Sequence, residues 1–113
     1  VFPGVSKTVA VTGATAGRYD VTGATSAPVQ LTFSLPANLA AAANLLPIGT
    51  WTGNHNTTLL PTGISFTPSA APANAALSAT GQLFVFIGAT VTPAVNQPAG
   101  VYSAPVQMTV VYF

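Results

Sequence analysis

From Val29 to Leu35 the chain alternates without a break. Val29, Leu31, Phe33 and Leu35 are apolar, Gln30, Thr32 and Ser34 lie between them, and Pro36 ends the run. Side chains of a strand point to opposite faces with period two, so this pattern predicts a half-buried β-strand. Val5–Thr12 alternates as well, with Val5, Val9 and Val11 on one face, and Lys7 interrupts that face as an edge or exposed end does. Arg18–Thr22 reads as a short strand, as do Gly49–Thr52, Thr57–Leu60 and Ile64–Thr67. Gln82–Thr92 is longer, and its middle, Leu83–Ile87, is apolar on both faces and therefore central. The last strand is expected over Val101–Phe113. There Tyr102, Ala104, Val106, Met108, Val110 and Tyr112 form one apolar face that must be buried.

Ten glycines and ten prolines punctuate these runs, as in all-β domains. Two stretches break the pattern. Pro36–Leu46 is alanine-rich, bounded by prolines, and reads either as a short helix capped by Asn38 or as a loop. Ser69–Ala76 is built of small residues and broken by proline, which predicts a loop. A local repeat, VTGATAG at Val11–Gly17 and VTGATSA at Val21–Ala27, suggests a hairpin-like ribbon with glycine turns. At 113 residues the chain has room for one domain with one core. It divides into an N-terminal extension, residues 1–12, and a β-sandwich body, residues 13–113.

Charge changes the picture most. Only Lys7, Arg18 and Asp20 are charged, 3% of the chain, against about 25% in ordinary soluble domains. A net charge of +1 gives little of the self-repulsion that keeps monomers apart, which suits a protein meant to associate. Two basic side chains cannot neutralise a run of phosphates, which argues against nucleic-acid binding. No apolar run approaches the roughly 18 residues of a membrane-spanning helix. There is no cysteine, hence no disulfide framework and no thiolate metal site. No basic segment followed by an apolar one opens the chain, so the expectation is an exported protein whose signal has been removed.

Candidate chemistry is sparse. His55 is the only histidine and Asp20 the only side-chain carboxylate. A Ser–His–Asp triad is arithmetically available, but nothing resembles a nucleophile elbow. One imidazole and one carboxylate do not make a metal site. No enzymatic activity, cofactor or metal is therefore expected. Arg18 and Asp20 are two apart and share a face if they lie on a strand. Trp51 sits near Asn54, His55 and Asn56, and an aromatic flanked by amides can stack on and hydrogen-bond a sugar. The competing reading of a lone tryptophan in a β domain is core. Asn56-Thr57-Thr58 fits the N-glycosylation sequon.

The C-terminal strand resembles the closing motif of chaperone–usher pilins. That family has alternating apolar residues in its last strand, a penultimate tyrosine and a glycine fourteenth from the end; here these are Tyr112 and Gly100. Gly81–Tyr112, through its GATV, NQPAGVYS and TVVY elements, is also similar to the bacterial surface proteins grouped as domain of unknown function 4402. The resemblance implies an immunoglobulin-like antiparallel sandwich that is incomplete. Its groove beside Tyr102, Ala104, Val106, Met108, Val110 and Tyr112 would be filled by the N-terminal strand of a neighbour, carrying Val5, Val9 and Val11. It further implies a homopolymeric pilus or fimbria on a bacterial surface, assembled with a periplasmic chaperone and an outer-membrane usher. The alternative from the residues alone is a monomeric carbohydrate-binding or adhesin sandwich that uses Trp51, Asn54 and Asn56. The N-terminal strand has its own alternative, an ordinary edge strand paired within the chain.

Overall fold

A computed structural model describes residues 3–13 and 16–112; Val1, Phe2 and Phe113, which the sequence reading places in the donor segment and the last strand, lie outside them. Nine strands are present among the described residues: β1 Lys7–Val9, β2 Gly17–Thr22, β3 Pro28–Ser34, β4 Asn38–Ala41, β5 Asn44–Asn56, β6 Ile64–Phe66, β7 Ala73–Ala76, β8 Gln82–Val91 and β9 Gln107–Tyr112. The described residues contain no helix. All pairings are antiparallel.

Six strands form one sheet. β8 is central, flanked on one side by β1 and β2 and on the other by β5, whose far edge carries β4 and β6. The second sheet has three strands in the order β7-β3-β9. The two pack face to face as a sandwich. Val29, Leu31 and Phe33 of β3 meet Leu83, Val85 and Ile87 of β8 in one buried cluster. Phe33 spans the core: its ring lies 6.5 Å from Tyr19 of β2, edge-on, and 5.8 Å from Phe66 of β6, stacked. Phe66 can lie there because residue 53 is glycine. A Cβ on Gly53 would stand 2.7 Å from the ring, closer than any side chain tolerates.

The strands of β3 and β8 follow their alternation, and β8 is central as its two-faced apolar middle requires. Elsewhere the sequence expectation needs correction. Pro36–Leu46 is neither helix nor loop but the hairpin of β4 and β5, with Leu39 opposite Leu46 and a two-residue turn at Ala42–Ala43. Ala42 holds a φ of 54° there, a conformation that costs an L-residue about 1 kcal/mol. The alanines favour helix, but a segment of this length is marginal as an isolated helix, and the cross-strand pair of Leu39 with buried Leu46 favours the ladder. Ser69–Ala76 contains a strand, β7, whose alternate residues Ala73 and Ala75 pack on the core. Thr57–Leu60 is a loop. The first strand is shorter than Val5–Thr12, and the last begins at Gln107 rather than Val101. Within 101–106 only Ser103 makes a bridge, to Ala40, and Pro105 has no N–H to offer a ladder.

The ten-residue repeat is not a hairpin. β1 and β2 run in the same direction along one edge of β8, and each copy of the repeat, in its described residues, contributes to the loop that follows its strand.

The strand directions define two poles of a body measuring 50 × 22 × 19 Å. The paired ends Lys7, Ile48 and Val91 mark one pole, with the β4–β5 turn and residues 92–103 beyond them. The paired ends Thr22, Asn56 and Gln82 mark the other, with the β2–β3, β5–β6 and β7–β8 connections.

Candidate functional site

The most conspicuous site is a strand edge rather than a cleft. β9 pairs with β3 over six consecutive residue pairs, Gln107 to Tyr112, with no shift of register. No described strand pairs with its other edge. The face that Met108 and Val110 turn inward packs on the core, while Gln107, Thr109 and Val111 are exposed. Natural proteins protect such edges with lysine, proline or a bulge. β9 has none of these.

The apolar face of the last segment is less buried than its alternation demands. Tyr102, Ala104, Val106, Met108 and Val110 are half-buried, and Tyr112 is 59% exposed. Tyr112 is nonetheless fixed. Its hydroxyl oxygen accepts a hydrogen bond from the Ala24 N–H at 3.1 Å, tying β9 to the β2–β3 turn. Tyr19 makes a second tie, its O–H donating to the Val106 carbonyl at 2.8 Å. β2 and β9, edge strands of different sheets, are thus joined on one side of the sandwich. The sequence offers no signal for the Tyr19 contact beyond an aromatic on the inward face of a strand.

Val5, Val9 and Val11 do not share one buried face. β1 pairs within the chain, Lys7 with Val91, Thr8 with Thr90 and Val9 with Ala89, and the Thr8 and Thr90 hydroxyls hydrogen-bond at 2.8 Å. Val9 and Val11 are half-buried, and Val5 is 57% exposed. Gly100 is exposed in the irregular segment before β9.

At the pole where β1 begins lies an apolar pocket of about 450 Å³, walled by Leu39, Leu46, Val91, Pro93, Pro98 and Tyr102, with Pro3 at its rim. Its polar groups serve each other. Gln97 donates through Nε2 to the Leu45 carbonyl and the Tyr102 hydroxyl, its Oε1 accepts from the Ala94 N–H, and the Tyr102 O–H donates to the Pro98 carbonyl.

No family model, curated sequence or solved structure matches this chain.

Trp51, Asn54 and Asn56 do not form one surface. Trp51 packs on the core from the inner face of β5. Alternation places Asn54 and Asn56 on the other face, where both are committed to the β5–β6 loop. Asn54 Oδ1 accepts from the Gly63 N–H at 2.9 Å. Asn56 donates through Nδ2 to the Leu60 carbonyl at 2.9 Å and accepts at Oδ1 from the Thr58 N–H at 3.4 Å. The loop so pinned displays Leu59 and Leu60, 52% and 59% exposed. Two adjacent leucines before a proline, outside any alternating run, are the sequence signal of this knob.

Arg18 and Asp20 pair on the outer face of β2, Nε to Oδ1 at 2.9 Å, half exposed. Such a pair is worth at most about 1 kcal/mol. His55 lies on the inner face of the same sheet, its ring 5.5 Å from Phe66. Asp20 and His55 therefore occupy opposite faces, and a triad cannot assemble from them. Among the described residues there is no group of three metal-ligating side chains, and no helix is long and apolar enough to cross a membrane.

Burial lowers the pKa of His55 from its usual 6.5. Folding favours the neutral imidazole, so its contribution is full above pH 6.5 and is lost as pH falls through the lower folded value. No charged side chain is present on β5, β6, β7 or β8 to offset this. The unfolding free energy from denaturant titration is expected to be flat between pH 8 and 7 and to fall below about 6.5, by no more than about 1.4 kcal/mol per pH unit for one proton. His55→Phe should remove that slope; an unchanged slope would assign it to another group.

Proposed function

We propose that this chain is a structural subunit of an extracellular, cell-surface filament that polymerises with itself head to tail by strand donation. The observation that carries the reading is the unprotected outer edge of β9, six residues long, on a chain with three charged side chains. An added strand completes the hydrogen bonding of such an edge and seats alternate side chains beside it. The donor is the N-terminal segment, residues 1–12, of the next copy. Within one chain that segment is held by three residue pairs on β8, the Thr8–Thr90 hydroxyl bond and the hydrogen bond from the Gly4 N–H to the Ala94 carbonyl, and a six-residue edge offers a longer ladder. Because donor and acceptor are different surfaces, the contact is heterologous and propagates from copy to copy, which makes a filament when the rotation between copies does not close a ring. A periplasmic chaperone and an outer-membrane usher are the partners this mode of assembly calls for, since the free edge needs cover before it is filled. The sugar-binding alternative draws no support from residues that lie on opposite faces of β5.

Electron microscopy of purified protein tests the reading. Wild type is expected to form long filaments, and deletion of residues 1–12 to leave soluble monomers. A synthetic peptide of residues 1–12 in excess should stop growth of the wild type. Filaments from the truncated chain would rule out this segment as donor, and a persistently monomeric wild type would rule out the filament.

A further inference from the structure

The two poles are complementary. One carries the concave apolar pocket walled by Leu39, Leu46, Val91, Pro93, Pro98 and Tyr102. The other carries the exposed, apolar Leu59–Leu60 loop, held in shape by Asn54 and Asn56 beside a second hollow of about 460 Å³ lined by His55, Thr57 and Ile64. We infer that in the assembled protein the Leu59–Leu60 knob of one copy inserts into the apolar end pocket of the next, and that this contact sets the register of the head-to-tail joint. The inference rests on the head-to-tail reading above and adds a second contact to it.

Three properties select a second copy as the occupant. The pocket's hydrogen-bonding groups already satisfy one another, so it offers apolar surface and no free polar partner; aliphatic side chains suit it. Its volume of about 450 Å³ takes two leucine side chains without strain. No charged side chain lines the pocket or belongs to the knob; Lys7, opposite Val91 at the pocket pole, is exposed and belongs to the donor strand, so the knob contact itself buries no charge. Area gives the third argument. A flat end-on contact between cross-sections of 22 × 19 Å offers roughly 700 Å² over both partners, short of the ~1,200 Å² of a specific interface. Interdigitation and the added strand together supply the rest. The geometry agrees, because β9 runs toward the knob pole and the donor segment starts at the pocket pole. One joint therefore brings both contacts together.

Two variants separate knob from pocket. Leu59→Ser with Leu60→Ser removes the knob and leaves the pocket. Gly100→Phe fills the pocket mouth and leaves the knob; a Cβ at Gly100 meets only Ala41 at 3.5 Å and Tyr102 at 3.8 Å, ordinary contacts that the fold accepts. Each variant alone is expected to raise the critical concentration for assembly about a hundredfold, the effect of leaving two leucines in water. Mixed, they should form dimers and nothing longer by sedimentation, because one intact knob meets one intact pocket. That dimer also demonstrates that both variants fold. Assembly of either variant at wild-type concentration, or a mixture that stays monomeric, overturns the knob while leaving strand donation standing. Failure of the wild type to associate overturns both.

Discussion

Replacing Gly88 with alanine is expected to free the N-terminal strand while the rest of the sandwich stays folded. Gly88 lies in β8 where β1 ends, and a Cβ there would collide with the Val9 carbonyl oxygen and stand 3.1 Å from the Ala10 carbonyl carbon. Backbone cannot yield as a side-chain tip does, so β1 must move. Overpacking of this kind costs about 1–3 kcal/mol. Because β1 is held by three residue pairs and the Thr8–Thr90 hydroxyl bond, that cost falls on its attachment rather than on the whole fold. Trypsin reads the result directly, since Lys7 and Arg18 are its only sites. Cleavage after Lys7 should accelerate about ten- to a hundredfold, tracking the population of the open form. Gly100→Ala is the control and should leave the rate unchanged. Equal rates for Gly88→Ala and wild type would place the Val9–Ala10 backbone elsewhere. In the filament reading the same substitution should also speed nucleation, because a released donor is available to a neighbour.

The second large effect is in the core. Leu31→Ala is expected to cost about 2–5 kcal/mol, the usual range for a buried leucine. Leu31 is fully buried at the centre of β3, between β7 and β9, and packs on the β8 side of the sandwich. Against a total of about 5–15 kcal/mol for a domain, that loss is severe. With a urea slope of about 1–3 kcal/mol/M, the midpoint should fall by about one molar or more. Val111→Ala, an exposed site on the adjacent strand, should shift stability by less than about 0.5 kcal/mol. Similar midpoints for the two variants would mean that the Leu31 side chain does not lie between the sheets.

Much of this arrangement is legible in the sequence where side-chain alternation is strong. Val29, Leu31 and Phe33 declare their strand, Leu83–Ile87 declares a central one, and the two-residue spacing of Arg18 and Asp20 foretells their pair. The reading fails where residues are small. Ala73–Ala76 and Asn38–Ala41 carry little hydrophobic contrast, so period two is invisible and local propensity misleads. Their strand character comes from β3 and β5, long partners that present a ladder to them. The edges of the site were legible in part. The alternation of Met108 and Val110 marked β9, but nothing local reports that Tyr19 reaches across to Val106, or that Gly88 is glycine to let β1 pass. Those are contacts between residues more than 70 positions apart. The antiparallel two-sheet sandwich is what the alternating runs called for; Trp51 joined its core and left Asn54 and Asn56 to shape a loop.

The Arg18–Asp20 pair has a consequence for how the protein responds to its medium. These two charges cancel on one face of β2, and the only side-chain charge left over, Lys7, sits in the strand that departs in the filament reading. In that reading Lys7 travels with the donor strand into the joint as a single cation, and β9 has no acidic side chain to pair with it. Ionic screening acts over about 10 Å at 0.1 M, and here it finds no ion pair across the added strand to weaken. Such a joint holds equally in fresh water and in brine, and its strength is governed by temperature and by agents that compete for apolar surface.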